Sequence, residues 1–108
     1  MRIEFEKDYL EELYCEGKSK NKKYRFQPNI VKKYKETIDR LRACNNIEDL
    51  FPIKSLNYEK LSGDKNGLES VRVNDQYRIE FISRIENEEP YSITICSITE
   101  LSNHYKKN

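Results

Sequence analysis

The 108-residue sequence has no tryptophan, one histidine, and only three glycines, three prolines and three cysteines. The cysteines, at positions 15, 44 and 96, are odd in number and widely spaced. Such spacing is typical neither of a disulfide framework nor of a metal-binding motif. With a single histidine and no CxxC motif, no zinc site is expected. We therefore predict reduced cysteines that serve packing, and no bound metal.

Long apolar segments are also absent. No run approaches membrane-spanning length, and the N-terminal MRIEFEKDYLEELY is charged throughout instead of having the apolar centre of a signal peptide. Twenty Lys and Arg residues against nineteen Asp and Glu give a formal net charge of +1, so total charge predicts no polyanion partner. We expect a cytoplasmic protein that does not associate with a membrane.

Apolar periodicity predicts two helices in the first half of the chain. Residues 2–6 alternate as in a short strand, and the capping-box spacing of Asp8 and Glu11 begins a helix that Gly17 ends. A longer helix is predicted over 28–43, because a proline suits its first position and its apolar stripe has helical spacing. Its lysines and arginines are interpreted as a solvated face.

Beyond residue 53 the apolar period changes to two, after a predicted helical turn at 46–51. This pattern predicts strands over 55–61, 68–73, 77–85 and 91–98. Helices followed by a meander are typical of an α+β fold, here a small antiparallel sheet of three to five strands with two N-terminal helices on one face. The length predicts a single domain over residues 1–108.

Two polar segments connect these elements. GKSKNKKYR, residues 17–25, is basic and short of apolar residues, and we interpret it as an exposed, solvated connection. SGDKNG, residues 62–67, contains two glycines and a lysine but lacks the GxxxxGK[ST] spacing and the helix of a phosphate-binding loop. We predict that it is a strand-connecting turn.

The stretch SVRVNDQYRIEF raises an electrostatic problem. If Val71 and Ile79 lie on the buried face of two strands joined by a turn at 74–76, then Arg72 pairs with Arg78. Like charges directly opposite on one face of a sheet are destabilising. The register therefore requires a neutralising partner for the two arginines.

The segment LSGDKNGLESVRVNDQYRIEF, residues 61–81, closely resembles a motif of RelE/ParE-superfamily toxins, in particular of the HigB-like branch. That motif reads approximately L-K-G-D-x-x-G-x-x-S-I-R-V-N-x-x-Y/W-R-I-x-F, and the match is without gaps. Upstream, FQPNIVKKYKETIDRLRACNNIEDL resembles the branch's long helix and following turn. Downstream, ICSITELSNHYKK resembles its terminal strand and histidine, so the resemblance covers nearly the whole chain and implies a RelE-like fold.

The function implied by this resemblance is that of a toxin of a type II toxin-antitoxin system. Such a toxin is expected to be a ribosome-dependent, metal-independent endoribonuclease that cuts messenger RNA in the decoding site, inhibits translation and needs no cofactor. Its implied partners are the 70S ribosome with messenger RNA, and a helix-turn-helix, HigA-like antitoxin. Two alternatives stay open: a non-enzymatic toxin that binds a protein such as DNA gyrase, as in the ParE-like branch, and a catalytically lapsed homologue that acts with its antitoxin in regulation.

The resemblance also implies the catalytic residues. Arg78 matches the arginine of the aromatic-Arg-Ile motif, and His104 coincides with the branch's terminal histidine as general acid or base. Arg72 is the third candidate, since a scissile phosphate held between it and Arg78 would relieve their repulsion. The alternative is that Glu69 or Glu80 neutralises the two arginines across the sheet.

The remaining candidates are RNA contacts, namely Lys60, Lys65, Asn74, Tyr105 and Lys106. Before the terminal histidine, Ser102 and Asn103 stand where the family often has an acidic residue and a tyrosine. At two further positions, Ser62 stands where the family commonly has lysine, and Glu59 where it often has histidine. Both changes remove positive charge, which Lys60 or Lys65 would supply from neighbouring positions.

Overall fold

A computed structural model of the chain describes residues 1–103 and confirms the α+β fold class, with two helices and a five-stranded sheet. The elements are β1 (Arg2–Phe5), α1 (Asp8–Glu16), α2 (Pro28–Ala43), β2 (Glu59–Lys60), β3 (Glu69–Arg72), β4 (Tyr77–Glu88) and β5 (Tyr91–Asn103). Short 3-10 turns connect α2 to β2. The order of strands in the sheet is β1-β5-β4-β3-β2.

The four strands from β2 to β5 form the expected antiparallel meander. β1 is added at the edge beside β5 and runs parallel to it. A parallel neighbour needs a long crossover, and both helices and three strands separate β1 from β5 in the sequence. The predicted strand over 55–61 shrinks to Glu59–Lys60, because Lys54–Leu56 forms a 3-10 turn in front of it.

Both helices pack on one face of the sheet through the apolar stripes seen in the sequence. α1 buries Tyr9, Leu10 and Leu13. α2 spans its predicted residues and buries Tyr34 completely, where its hydroxyl donates a 2.8 Å hydrogen bond to the carbonyl of Leu10. Burial of one large apolar side chain stabilises a fold by about 1.5–3 kcal/mol, so this layer provides much of the stability.

The ends of α1 only partly match expectation. The prediction of a capping box is wrong. Asp8 is the first helical residue, and Lys7 occupies the N-cap position without a side-chain hydrogen bond that caps the helix. Asp8 and Glu11 nevertheless lie in the first turn, where negative charge favours the helix dipole. Gly17 ends the helix as predicted, with a φ of 82°.

The cysteines are free thiols at three levels of exposure. Cys96 is buried in the core, Cys44 is half-buried and Cys15 is exposed. Within residues 1–103, no cluster of three or more His, Cys, Asp or Glu side chains is arranged to hold a metal ion. No helix of that part of the chain combines the length and apolar character needed to cross a membrane.

Candidate active site on the sheet face opposite the helices

The predicted pairing of Arg72 with Arg78 is confirmed by the register of β3 and β4, which also places Val71 opposite Ile79. Val71 and Ile79 are fully buried against the helices. Because neighbouring residues of a strand point to opposite faces, both arginines project from the face away from the helices. The turn between the strands is built by Asn74, whose side-chain oxygen accepts hydrogen bonds from the backbone of the two residues before Arg78.

Arg78 is buried, with only 5% of its side chain exposed. Its Nε donates a 2.9 Å hydrogen bond to Ser70 Oγ, and its Nη2 donates to the carbonyl oxygens of Asn57, at 2.6 Å, and Ser70, at 3.3 Å. Within residues 1–103, Nη1 has no hydrogen-bond partner. Two of the three guanidinium nitrogens thus bind the protein itself.

The electrostatic environment of Arg78 contains opposing effects. Burial lowers the pKa of Arg78, and the nearby charge of Arg72 lowers it further. Glu59, whose Oε1 lies 3.9 Å from Arg78 Nη2, raises it, and Glu80 acts in the same direction. An arginine keeps its proton under all such conditions, so the site contains a permanent buried positive charge.

Arg72 is half-exposed and its Nη2 forms an ion pair with Asp75 Oδ1. The repulsion between the two arginines is therefore offset by carboxylates, Asp75 beside Arg72 and Glu59 beside Arg78. Of the two carboxylates expected to do this, Glu69 lies on the helix side, where it accepts hydrogen bonds from Tyr58 and Ser83.

Glu80, the other expected carboxylate, lies on the same face as the arginines and binds Lys65. Lys65 Nζ is 2.7 Å from Glu80 Oε2, and while the Glu80 side chain is 7% exposed, that of Lys65 is 50% exposed. Lys65 belongs to the 3-10 turn Gly63–Lys65, which confirms that SGDKNG connects two strands. We call Glu59, Lys65, Arg72, Arg78 and Glu80 the arginine face.

Lys60 does not join the arginine face. It pairs with Glu69 in the sheet, so its side chain points to the opposite face from its neighbour Glu59. There it lines a cavity of about 410 Å³ together with Tyr58 and Phe51. Burial and the hydrogen bond to Glu69 raise the pKa of Tyr58. Lys60 is therefore separated from Arg78 by the sheet.

Asn74, another predicted site residue, lies in the turn between β3 and β4. The Asn74 side chain is used by its own turn. His104, Tyr105 and Lys106 lie outside the described residues. The last described residue is Asn103, which pairs with Tyr77 at the start of β4.

Glu59 is the site residue that the sequence did not identify. Its pairing with Ser70 places it on the arginine face, and its side chain is 46% exposed next to the buried Arg78. In the sequence, Glu59 was visible only as the loss of a basic residue, because a strand over 55–61 does not reveal which of its residues lies beside Arg78.

Comparisons with known proteins agree with this architecture. Residues 3–98 match a family model described as the RelE-like toxin of type II toxin-antitoxin system HigB. Among solved structures, a YoeB/ParE toxin from Agrobacterium tumefaciens is similar, with a TM-score of 0.51 and 16% sequence identity over 97% of this chain and 100% of that chain. At that identity the likeness concerns the fold alone, and no curated protein sequence matches significantly. The match to the family model shows that the chain belongs to the HigB-like family of RelE-like toxins, which are partnered by antitoxins in type II systems.

Proposed function

We propose that this toxin, as a single domain, is a ribosome-dependent, metal-independent endoribonuclease that cuts messenger RNA in the decoding site and so inhibits translation in the cytoplasm. A HigA-like antitoxin holds it inactive. The observation that carries the proposal is the half-exposed carboxylate of Glu59, 3.9 Å from the buried guanidinium of Arg78, in a chain of this family. Two more cations belong to the arginine face, namely Lys65, which is paired with Glu80, and Arg72, which is paired with Asp75.

Metal-free RNA cleavage needs three chemical groups. A base removes the proton of a 2′-hydroxyl, whose oxygen attacks the adjacent phosphorus; cations stabilise the charge on the phosphorane; and an acid protonates the leaving 5′-oxygen. The products are a 2′,3′-cyclic phosphate and a free 5′-hydroxyl. Glu59 is our candidate base, because its carboxylate is accessible and lies 3.9 Å from Arg78, the cation that would stabilise the phosphorane.

The positive charges of the two arginines stabilise the negative charge of the phosphorane. Arg78 acts through Nη1 and through its buried charge, since its Nε and Nη2 already donate to Ser70 and Asn57. A charge in such a site acts more strongly than one in water. Arg72 exchanges Asp75 for the phosphate, because that ion pair is largely exposed and exposed pairs contribute little stability.

The acid is His104, which we retain from the resemblance to the family. An imidazole has an ordinary pKa close to neutrality, which suits proton donation to a leaving oxygen. Tyr105 and Lys106 follow it in the sequence and are retained as RNA contacts, as is Lys65. The ribosome supplies the orientation of the messenger, so positioning accounts for a large part of the rate.

The test is cleavage of a defined messenger on purified, programmed 70S ribosomes, with ribosome-free RNA alongside. Glu59→Gln removes the base while keeping the shape of the side chain, and we expect cleavage to slow by about 10²–10⁴-fold. Glu86→Gln is the matched control: Glu86 is 44% exposed and 3.3 Å from Arg84, a pairing like that of Glu59 with Arg78. We expect this control to cleave as the wild type does.

Each unexpected result of this cleavage experiment indicates a different function. Growth arrest on expression without any cleavage would contradict the proposal and indicate a protein target such as gyrase. Absence of both growth arrest and cleavage would indicate a lapsed homologue with a regulatory role. Full activity of Glu59→Gln would remove Glu59 as the base while leaving the nuclease in place.

A further inference from the structure

Residues 18–25, which we call the basic segment, hold an unusual concentration of unpaired positive charge. They contain five cations and no acidic residue, so the rest of the chain carries a net charge of −4, the difference between +1 and +5. The five are Lys18, Lys20, Lys22, Lys23 and Arg25, all exposed. Within residues 1–103, none of them forms an ion pair.

The basic segment has a defined backbone conformation. Ser19 is buried, and its hydroxyl donates a 2.9 Å hydrogen bond to Glu12 Oε1, which also accepts a 3.0 Å bond from the backbone N–H of Lys20. Ser19 Oγ in turn accepts from the N–H of Asn21, and Asn21 Oδ1 accepts from that of Lys23. Glu12 therefore binds the backbone of the segment and leaves its lysine side chains pointing to solvent.

Aromatic contacts attach the basic segment to the end of the sheet that carries the arginines. The ring of Tyr24 stacks on that of Tyr9, with centroids 3.7 Å apart and planes 4° from parallel. The Tyr9 hydroxyl accepts a hydrogen bond from the N–H of Leu101 in β5. Phe26, just after the segment, packs edge-on against Tyr77 at the start of β4. Tyr77 directly precedes Arg78.

The segment is exposed, as the sequence predicts, and its backbone is held by hydrogen bonds to Glu12. Five like charges within eight residues repel one another, with a strength that decreases beyond the screening length of about 8 Å at physiological salt. A flexible connection would relieve that repulsion by spreading out. Here the hydrogen bond of the buried Ser19 to Glu12 and the stacking of Tyr24 on the buried Tyr9 hold the backbone of the segment, so its five exposed cations stay in one part of the surface. Within residues 1–103 these cations form no ion pairs, and such a cluster matches the phosphates of a nucleic-acid backbone.

We propose that the basic segment binds the phosphate backbone of ribosomal RNA and thereby sets the arginine face against the messenger. The proposal deepens the proposed function and rests on it. RNA is favoured over an acidic protein surface because Lys18, Lys20 and Lys22 alternate with the polar Ser19 and Asn21, and because the segment adjoins the strand ends that lead to Arg78. It adds a binding role to the exposed connection predicted over residues 17–25.

The experiment measures binding of the full-length toxin to purified 70S ribosomes by co-sedimentation over a series of KCl concentrations. The test variant is Lys20→Gln/Lys22→Gln/Lys23→Gln, and the matched control is Lys32→Gln/Lys33→Gln/Lys54→Gln, which removes the same charge from other exposed positions. We expect the test variant to bind at least about tenfold more weakly near physiological salt. For this variant, the logarithm of the association constant for the ribosome should fall less steeply with log[KCl]. The slope should be smaller in magnitude by about 2, from three lost phosphate contacts at ~0.7 each.

We expect the control to bind within about twofold of the wild type and to keep its salt dependence. Thermal unfolding of all three proteins checks that the exposed substitutions leave the fold intact. Equal weakening of both variants would overturn the proposal, because net charge alone would then explain binding. Normal ribosome binding by the test variant would also overturn it, and lost antitoxin binding in that case would assign the segment to an acidic protein surface.

Cleavage measured on the same samples separates this proposal from the proposed function. If the wild type cleaves and the test variant binds and cleaves normally, the proposed nuclease function is supported and the proposed role of the basic segment is overturned. If the wild type binds ribosomes through the basic segment but cuts no messenger, the proposed RNA binding is supported and the proposed nuclease function is overturned. A wild type that does not bind ribosomes overturns both.

Discussion

Arg78 combines burial with a permanent charge, and its neighbours are arranged accordingly. Its Nε and Nη2 are held by Ser70 and by the carbonyl of Asn57, and Glu59 lies close by. The resemblance to the family predicted Arg78 as the central residue of the candidate site. Its burial was not predictable, because Asn57 is 21 residues away in the sequence.

Arg78→Ala should lower the free energy of unfolding by about 1–3 kcal/mol, because the buried hydroxyl of Ser70 and the partly buried carbonyl of Asn57 lose their donor. Arg84→Ala is the matched control: Arg84 lies on the same strand and its side chain is 45% exposed, with carboxylates of Glu4 and Glu86 as partners. Exposed ion pairs contribute only about 0–1 kcal/mol. Urea unfolding measures the free energy of unfolding of both variants. Equal decreases in the two variants would contradict a structural role for the Arg78 contacts.

The turn that ends α1 determines where the basic segment begins. Gly17 has a φ of 82°, and its N–H donates a 3.2 Å hydrogen bond to the carbonyl of Leu13. A Cβ at this position would meet no atom within 4 Å, so the need for glycine arises from the backbone conformation and not from crowding. This is a local property, and for that reason the sequence predicted the helix end correctly.

Gly17→Ala should therefore destabilise the protein by about 1 kcal/mol, the cost of a left-handed conformation for a residue with a Cβ. Gly17→Asn should cost less, because asparagine tolerates this conformation better than alanine does. The midpoints of urea unfolding for the three proteins should rank Gly, Asn, Ala. An alanine variant as stable as the wild type would show that α1 can end in another conformation.

The distribution of charge over the molecule separates an apolar layer from an ionic face. The two helices and the inner face of the sheet bury several groups that can lose a proton. Burial raises the pKa of Tyr9 from 10.0 to about 12 and that of Cys96 from 9.0 to about 12. Burial also raises the pKa values of Tyr34 and Tyr58. Loss of a proton from any of these groups therefore destabilises the fold.

The pH dependence of stability follows from these shifts. Because the folded-state pKa values lie above the unfolded ones, the full stabilisation is present below pH 9 and is lost as the pH rises toward about 12. Urea midpoints should be flat from neutral pH to pH 9 and then fall steeply. Tyr34→Phe removes one of the titrating groups, so its alkaline decline should be shallower, by up to about 1.4 kcal/mol per pH unit. A urea midpoint that does not change between pH 9 and pH 11 would contradict the conclusion that the loss of protons from these buried groups destabilises the fold.

The sequence by itself determined the features that depend on neighbouring residues. The bounds of α2, the turn at 62–67 and the pairing of Arg72 with Arg78 were all predictable, because helical period, turn composition and a tight connection between two strands act over a few residues. The family motif added the identity of the site. None of these features required knowledge of what the segments pack against.

Only the tertiary structure decided the rest. The parallel direction of β1, the burial of Arg78 beneath Asn57 and the position of Glu59 beside it all depend on segments that are distant in the sequence. The same holds for the basic segment, which the Tyr9–Tyr24 and Phe26–Tyr77 contacts hold at the arginine end of the sheet. Such contacts arise from packing the whole chain around one core, and no local pattern of residues specifies them.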